Sequence, residues 1–223
     1  MKELSLKPSV FSFSIDLSQS KLDGFNPILL SELSLRVADA LQAPATSDSF
    51  RLRVGDALFG YDLLCTFFGG NVDVRKTAER LTLTFKNGRV QADIPFIFDR
   101  VARFLQAFAA GHQQTVTVTG FCHGKTASDE DQTAFLDQFA VTKDVIGPGV
   151  TGRVTVRDWA KPIKVTAEAS LILPQGIFVF WETTYTNPEQ IKTMADDHFK
   201  KVAYAIPPSF IAAAAVFGLK VEF

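Results

Sequence analysis

The residues of this chain whose types could do chemistry crowd into one stretch, Gly120-Phe121-Cys122-His123-Gly124-Lys125-Thr126. Two chemistries are conceivable there. A Gly-Lys-Thr step between a strand and a helix is where a phosphate-binding loop belongs. That loop needs four residues between its first glycine and Gly-Lys-Thr, and here the required position is Thr119. The helix that follows opens with Asp129-Glu130-Asp131, which would repel phosphate at the terminus meant to attract it. Alternatively Cys122, His123 and Asp129 are a nucleophile, a base and an orienter. Neighbours on a strand point to opposite faces, so the spacing places Cys122 and His123 badly for contact. A buried thiol and a surface imidazole at a strand end is the simpler reading. The chain has 3 histidines, and no two stand at metal-ligand spacing, so no metal site and no cofactor is expected.

The elements that must position these residues follow from periodicity. Phe11, Phe13, Ile15 and Leu17 alternate with polar residues and predict a half-buried strand. Asn26-Pro27 predicts a capped helix start, and Leu30, Leu33, Val37 and Leu41 follow at helical spacing. Phe50 to Val54 alternates again. From Gly55 to Arg75 lies an apolar insert containing Leu58, Phe59, Tyr61, Leu63, Phe67 and Phe68. It reads as a bent strand or a hairpin broken at Gly60. Thr77-Ala78-Glu79 opens a strand to Phe85, and Lys86-Asn87-Gly88 is a hairpin signal leading to a return strand from Val90 to Phe98. A helix is expected from about Asp99 to Gly111.

The second half starts with the β-branched strand at Thr115 to Thr119 and a helix capped at Ser128. Arg153 to Trp159 is a strand. Ile163 to Leu173 is another, carrying a second Thr-Ala-Glu at Thr166 to Glu168, where Glu79 and Glu168 pair as solvent-facing residues or as a symmetric carboxylate pair. Ile177 to Tyr185, a helix after Asn187-Pro188 with His198 on its apolar side, an Ala-rich piece from Phe210 and a strand from Leu219 to Phe223 complete the chain. The expected fold is α+β. It is an internally duplicated strand-helix-strand-strand-strand-helix unit, with mainly antiparallel sheet packed on helices and a pseudo-twofold relating repeats 1–112 and 113–223.

The totals limit function. The 223 residues are 47% apolar and 21% charged, as for a globular protein. Phenylalanine is over-used, 21 against 3 Tyr and 2 Trp, which implies a dry core or a dry cavity. The net charge of −1 and the absence of a Lys/Arg cluster disfavour nucleic acid as a partner. Cys65 and Cys122 read as buried thiols of a reducing compartment. The N-terminus has no continuous apolar segment of the signal-peptide kind, and the longest apolar run, near Phe210, falls short of the roughly 20 residues of a membrane span. A cytoplasmic protein is expected.

Asp23-Gly24-Phe25-Asn26-Pro27-Ile28-Leu29-Leu30 resembles the Asp-x-Asn-Pro-(Ile/Leu)-His segment of hot-dog-fold enoyl hydratases. The resemblance covers about eight residues and implies a double hot dog for a duplicated chain. An extra residue separates Asp23 from Asn26, and Leu29 stands where the family's catalytic histidine belongs, so no functional residue carries over.

The expectation from sequence is therefore a non-enzymatic binding or assembly protein. It would hold a protein partner, a second copy of itself or an apolar small molecule through Leu58, Phe59, Tyr61, Leu63, Phe67 and Phe68. The alternative is a hydrolase or hydratase of an acyl-type substrate using His123, Asp129 and Cys122. A clamp-like nucleic-acid-associated protein is third.

Overall fold

The computed structural model describes residues 3–19, 27–43, 50–54, 61–77, 80–88, 94–109, 113–139, 149–155, 162–185 and 210–221. The chain begins with the long strand β1 (Leu4–Gln19), in which Phe13, Ile15 and Leu17 are buried while Ser14 and Asp16 between them stay half-exposed. The helix α1 (Pro27–Ala40) starts on Pro27, whose missing N–H costs nothing in a first turn. Its end is closed by Gln42 in the left-handed region (φ 50°). Gln42 N–H donates to the Asp39 carbonyl at 2.9 Å and Ala43 N–H to Ala38 at 2.8 Å, the paired bonds of a Schellman motif.

Four strands follow. β2 (Phe50–Val54) pairs with β3 (Tyr61–Phe67), which turns through Phe68–Gly70 into β4 (Val72–Lys76). β5 (Arg80–Gly88) then pairs with both β4 and β1. The first Thr-Ala-Glu is therefore not the opening of a strand. Thr77 makes the turn between β4 and β5: its N–H donates to the Arg80 carbonyl and its hydroxyl accepts from Arg80 N–H. Ala78 and Glu79 lie outside the described residues.

The expected return strand from Val90 to Phe98 is corrected, because residues 94–98 belong to α2 (Ile94–Ala109). Pro95 sits in the first turn of that helix, where a backbone N–H has no intrahelical acceptor to lose. β5 already has a neighbour on each side, so the Asn87-Gly88 hairpin signal has no edge to serve.

The second half supplies β6 (Gln113–Lys125), α3 (Asp129–Asp137), β7 (Val150–Val154), β8 (Ile163–Ala169) and β9 (Gly176–Tyr185). Residues 210–215 are helical and lead into β10 (Leu219–Val221), which pairs with β1 in parallel. α3 is capped as its sequence predicts: Ser128 Oγ accepts from Asp131 N–H at 3.1 Å, and the acidic first turn suits the helix dipole.

The fold is mixed α+β with a mostly antiparallel sheet, in the order β2-β3-β4-β5-β1-β6-β9-β8-β7. β1 and β6 form the centre, flanked by β5 and β9, then by β4 and β8. The two Thr-Ala-Glu segments do not fall on matching positions, since the first precedes β5 and the second lies within β8. One face of the sheet buries Phe13, Ile15, Leu17, Leu81, Leu83, Val118, Val179 and Trp181 in one cluster with Val37 and Leu41 of α1, Phe104 and Leu105 of α2, Phe135 of α3 and Phe210. None of the described helices is long and apolar enough to cross a membrane.

Candidate functional site

The side of the sheet turned away from that core is built of the alternate residues of the same strands. Near its middle it is a field of hydroxyls: Ser14, Thr82, Thr84, Thr117, Thr119 and Thr184 are all half-exposed. They bond across strands, Ser14 Oγ to Thr84 Oγ1 at 2.9 Å and Thr117 Oγ1 to Thr184 Oγ1 at 3.1 Å, and Thr82 donates to Asp16 Oδ1. Such cross-strand pairs help to hold the register of this part of the sheet.

Toward one end of β6 and β9 the hydroxyls give way to rings. Phe121 is directly opposite Phe180, and His123 is opposite Phe178. The rings of His123 and Phe178 are 4.8 Å apart between centroids, those of Phe121 and Phe178 5.9 Å, and those of Phe121 and His123 5.9 Å at 80°. All four residues are half-exposed, where phenylalanine is ordinarily a core residue. Exposed basic side chains surround this cluster and the hydroxyl field: Lys125 on β6, Lys164 on β8, Arg153 on β7, Arg75 on β4 and Arg80 on β5. Among the described side chains, the carboxylates on the same face are Asp16, Asp73, Glu168 and Glu182, and Asp73 is bridged to Lys86.

His123 is held by one further contact. Its Nδ1 lies 2.9 Å from Ser170 Oγ. That oxygen already accepts from the N–H groups of Ile172 at 3.3 Å and Leu173 at 3.0 Å. With both lone pairs engaged, the serine proton is left for Nδ1, which sets His123 as the tautomer carrying its proton on Nε2. Burial lowers the pKa of His123 below the usual imidazole value, so at neutral pH the ring is uncharged.

The structure separates the catalytic set expected from sequence. Cys122 is on the core face, fully buried, and desolvation pushes its thiol up to about 12. His123 is on the opposite face, and Asp129 is exposed in the first turn of α3. A thiol kept neutral on the far side of the backbone from its base is no nucleophile. Cys122 and His123 are therefore not placed to act as nucleophile and base to one another.

The apolar insert fares similarly. Leu63 and Phe67 are core residues of β3, at 3% and 4% exposure, packed with Val72 and Val74. Phe68 is half-buried in a left-handed backbone conformation (φ 53°), its ring 5.4 Å from the Arg100 guanidinium of α2. That ring anchors the turn from β3 to β4 to a helix. Leu58 and Phe59 lie outside the described residues, and of Tyr61 only the backbone pairing with Val54 is described. Among the described residues no group of His, Cys, Asp and Glu is placed to hold a metal ion.

No family model matches the chain, and no curated protein matches it. Among solved structures it is similar to the rolling circle replication initiator protein from Geobacillus stearothermophilus, at 11% identity and a TM-score of 0.36, over 86% of this chain and 80% of that one. The expectation that the insert holds a protein partner, a second copy or an apolar ligand is corrected by its own packing: Leu63 and Phe67 are core residues and Phe68 is half-buried against α2, so the expected binding or assembly protein loses the surface it rested on. Net charge does not exclude nucleic acid: the value of −1 sums every surface, whereas among the described side chains of the open face the exposed Lys and Arg outnumber the carboxylates.

The sequence reading missed Phe121, Phe178, Phe180 and Ser170. A signal for the first three was present. Phe121 and His123 stand two apart on one strand, as do Phe178 and Phe180 on another, and residues two apart share a face. Their being on adjacent strands, on the face away from the core, was not readable.

Proposed function

We propose that this protein binds single-stranded nucleic acid on the open face of its sheet. The observation that carries the reading is the cluster of half-exposed rings, Phe121, His123, Phe178 and Phe180, on two adjacent strands facing away from every described helix. Rings on a sheet surface offer π-faces to successive bases, and stacking of this kind tolerates any sequence. The threonine hydroxyls and the exposed Lys125, Lys164 and Arg153 are suited to sugar and phosphate oxygens. Neutral His123 stacks as a ring and presents its Nε2–H as a donor.

A duplex is a poorer fit. Its bases are already stacked on one another, and the basic residues are spread among carboxylates without forming a stripe that follows two backbones. Binding should therefore fall with salt, but gently, because few phosphates are neutralised.

The test is fluorescence polarisation with a labelled oligothymidylate. Phe121→Ala and Phe178→Ala should each weaken binding by about 5- to 150-fold, the equivalent of about 1–3 kcal/mol for a stacked base. Circular dichroism should show both variants folded, since neither ring is in the core. Affinity equal to that of the parent chain in the double variant would refute the platform.

A further inference from the structure

The turn from β8 to β9 displays the most exposed large apolar side chain of the described residues, Leu171 at 96%, with Ile172 at 59% beside it. Exposure of this degree is ordinary for a single residue, but here two aliphatic neighbours stand at the tip of a firmly tied turn. Ser170 N–H donates to the Gly176 carbonyl at 2.8 Å, and Gly176 N–H donates back to Leu173 at 3.1 Å. The Gln175 carbonyl accepts from Thr126 twice, from N–H at 2.9 Å and from Oγ1 at 2.8 Å. Gln132 of α3 donates to the Gly176 carbonyl at 2.6 Å. These bonds fix where Leu171 and Ile172 project.

The same turn is joined to the ring cluster. Ser170 Oγ holds the backbone of Ile172 and Leu173 on one side and His123 Nδ1 on the other. The apolar tip therefore stands at a set place beside the end of the row of rings. We infer that Leu171 and Ile172 form a wedge that packs on the last base pair where a duplex opens into the single strand lying on the sheet. Aliphatic side chains inserted at a base step are a known way to replace lost stacking. A base pair at a fork has one uncovered face, which is apolar, flat and adjacent to the strand that the rings would hold. This inference rests on the single-strand reading of the open face.

Two probes separate the inference from that reading: an oligothymidylate, and a forked duplex with an oligothymidylate arm. The full chain should prefer the fork, and Leu171→Ser combined with Ile172→Ser should reduce that preference by about tenfold while leaving oligothymidylate affinity unchanged. Equal affinity of the parent chain for both probes overturns the wedge and leaves the platform standing. Failure to bind either probe overturns the platform, and the wedge with it. Fork preference kept in the double variant overturns the wedge, as does binding of the parent chain to phosphatidylglycerol vesicles that the variant loses while its fork preference stays, since the tip is then a lipid anchor.

Discussion

Replacing Gly120 by alanine puts a methyl group where the indole of Trp181 lies. A Cβ on Gly120 would be 2.3 Å from Trp181 Nε1, 2.4 Å from Cε2 and 2.6 Å from Cζ2. Gly120 and Trp181 are directly opposite on β6 and β9, and Trp181 is fully buried with its ring 5.6 Å from that of Phe210. The indole can retreat only by pushing into Phe210 and the helix behind it. Overpacking of this kind costs about 1–3 kcal/mol. Alanine is the better strand residue by roughly 0.5–1 kcal/mol, which offsets part of the cost. The clash wins, and a net loss of about 1–2 kcal/mol is expected.

Urea denaturation should show this as a lower midpoint with an unchanged slope, because the surface exposed on unfolding is the same. Gly152→Ala is the control. Its Cβ would meet Phe217 Cζ at 2.7 Å, but that atom is the far end of a half-buried ring beside β7, a strand at the edge of the sheet. The ring can swing, so a change within about 0.5 kcal/mol is expected. If Gly120→Ala were as stable as the parent chain, Trp181 would not be packed on β6 as described. The assignment of Phe180 and Glu182 to the open face would fall with it, since a slip of one residue exchanges the faces.

Lys76 is 5% exposed on the core side of β4, its Nζ donating to the Thr77 carbonyl, and burial lowers its pKa from 10.5 to about 8. Below about pH 8 the amine is charged in both folded and unfolded chains, so it contributes no slope there. Between about 8 and 10.5 the unfolded chain keeps a proton that the folded chain has released, and stability should rise with pH. Lys76→Met should flatten that rise and stabilise the protein at neutral pH by at most about 3 kcal/mol, both read from urea midpoints along a pH series. Ser128→Ala removes the cap of α3 and should cost about 1 kcal/mol by the same assay, with Ser128→Asp restoring most of it.

How much of the site was legible depends on where each residue's partners lie. Ser128 was readable as a cap because the group it satisfies, Asp131 N–H, is three residues away. The burial of Cys122 and the outward place of His123 followed from alternation alone. The start of α2 at Ile94 is not legible locally, because Asn87-Gly88 and Pro95 by themselves point to a hairpin and a disturbed return strand. What decided them was β5 having β1 on one side and β4 on the other, separations no window of sequence spans. Leu63, Phe67 and Phe68 looked like surface for lack of any visible partner, and their partners are Val72, Val74 and Arg100.

The sequence by itself determined the strand and helix types over most of the described chain, the α+β class and which residues of a strand share a face, because these rest on periods of two and 3.6 that neighbouring residues carry. Tertiary structure alone decided which strands are adjacent, and so which outward residues become one surface. Phe121 and Phe178 are far apart in the chain and 5.9 Å apart between ring centroids, because β9 crosses to lie against β6. Net charge could be summed from composition, but its division between faces could not. That division, and the row of rings beside a tied apolar turn, came from pairing between distant strands, where the energy is cooperative and no single segment holds it.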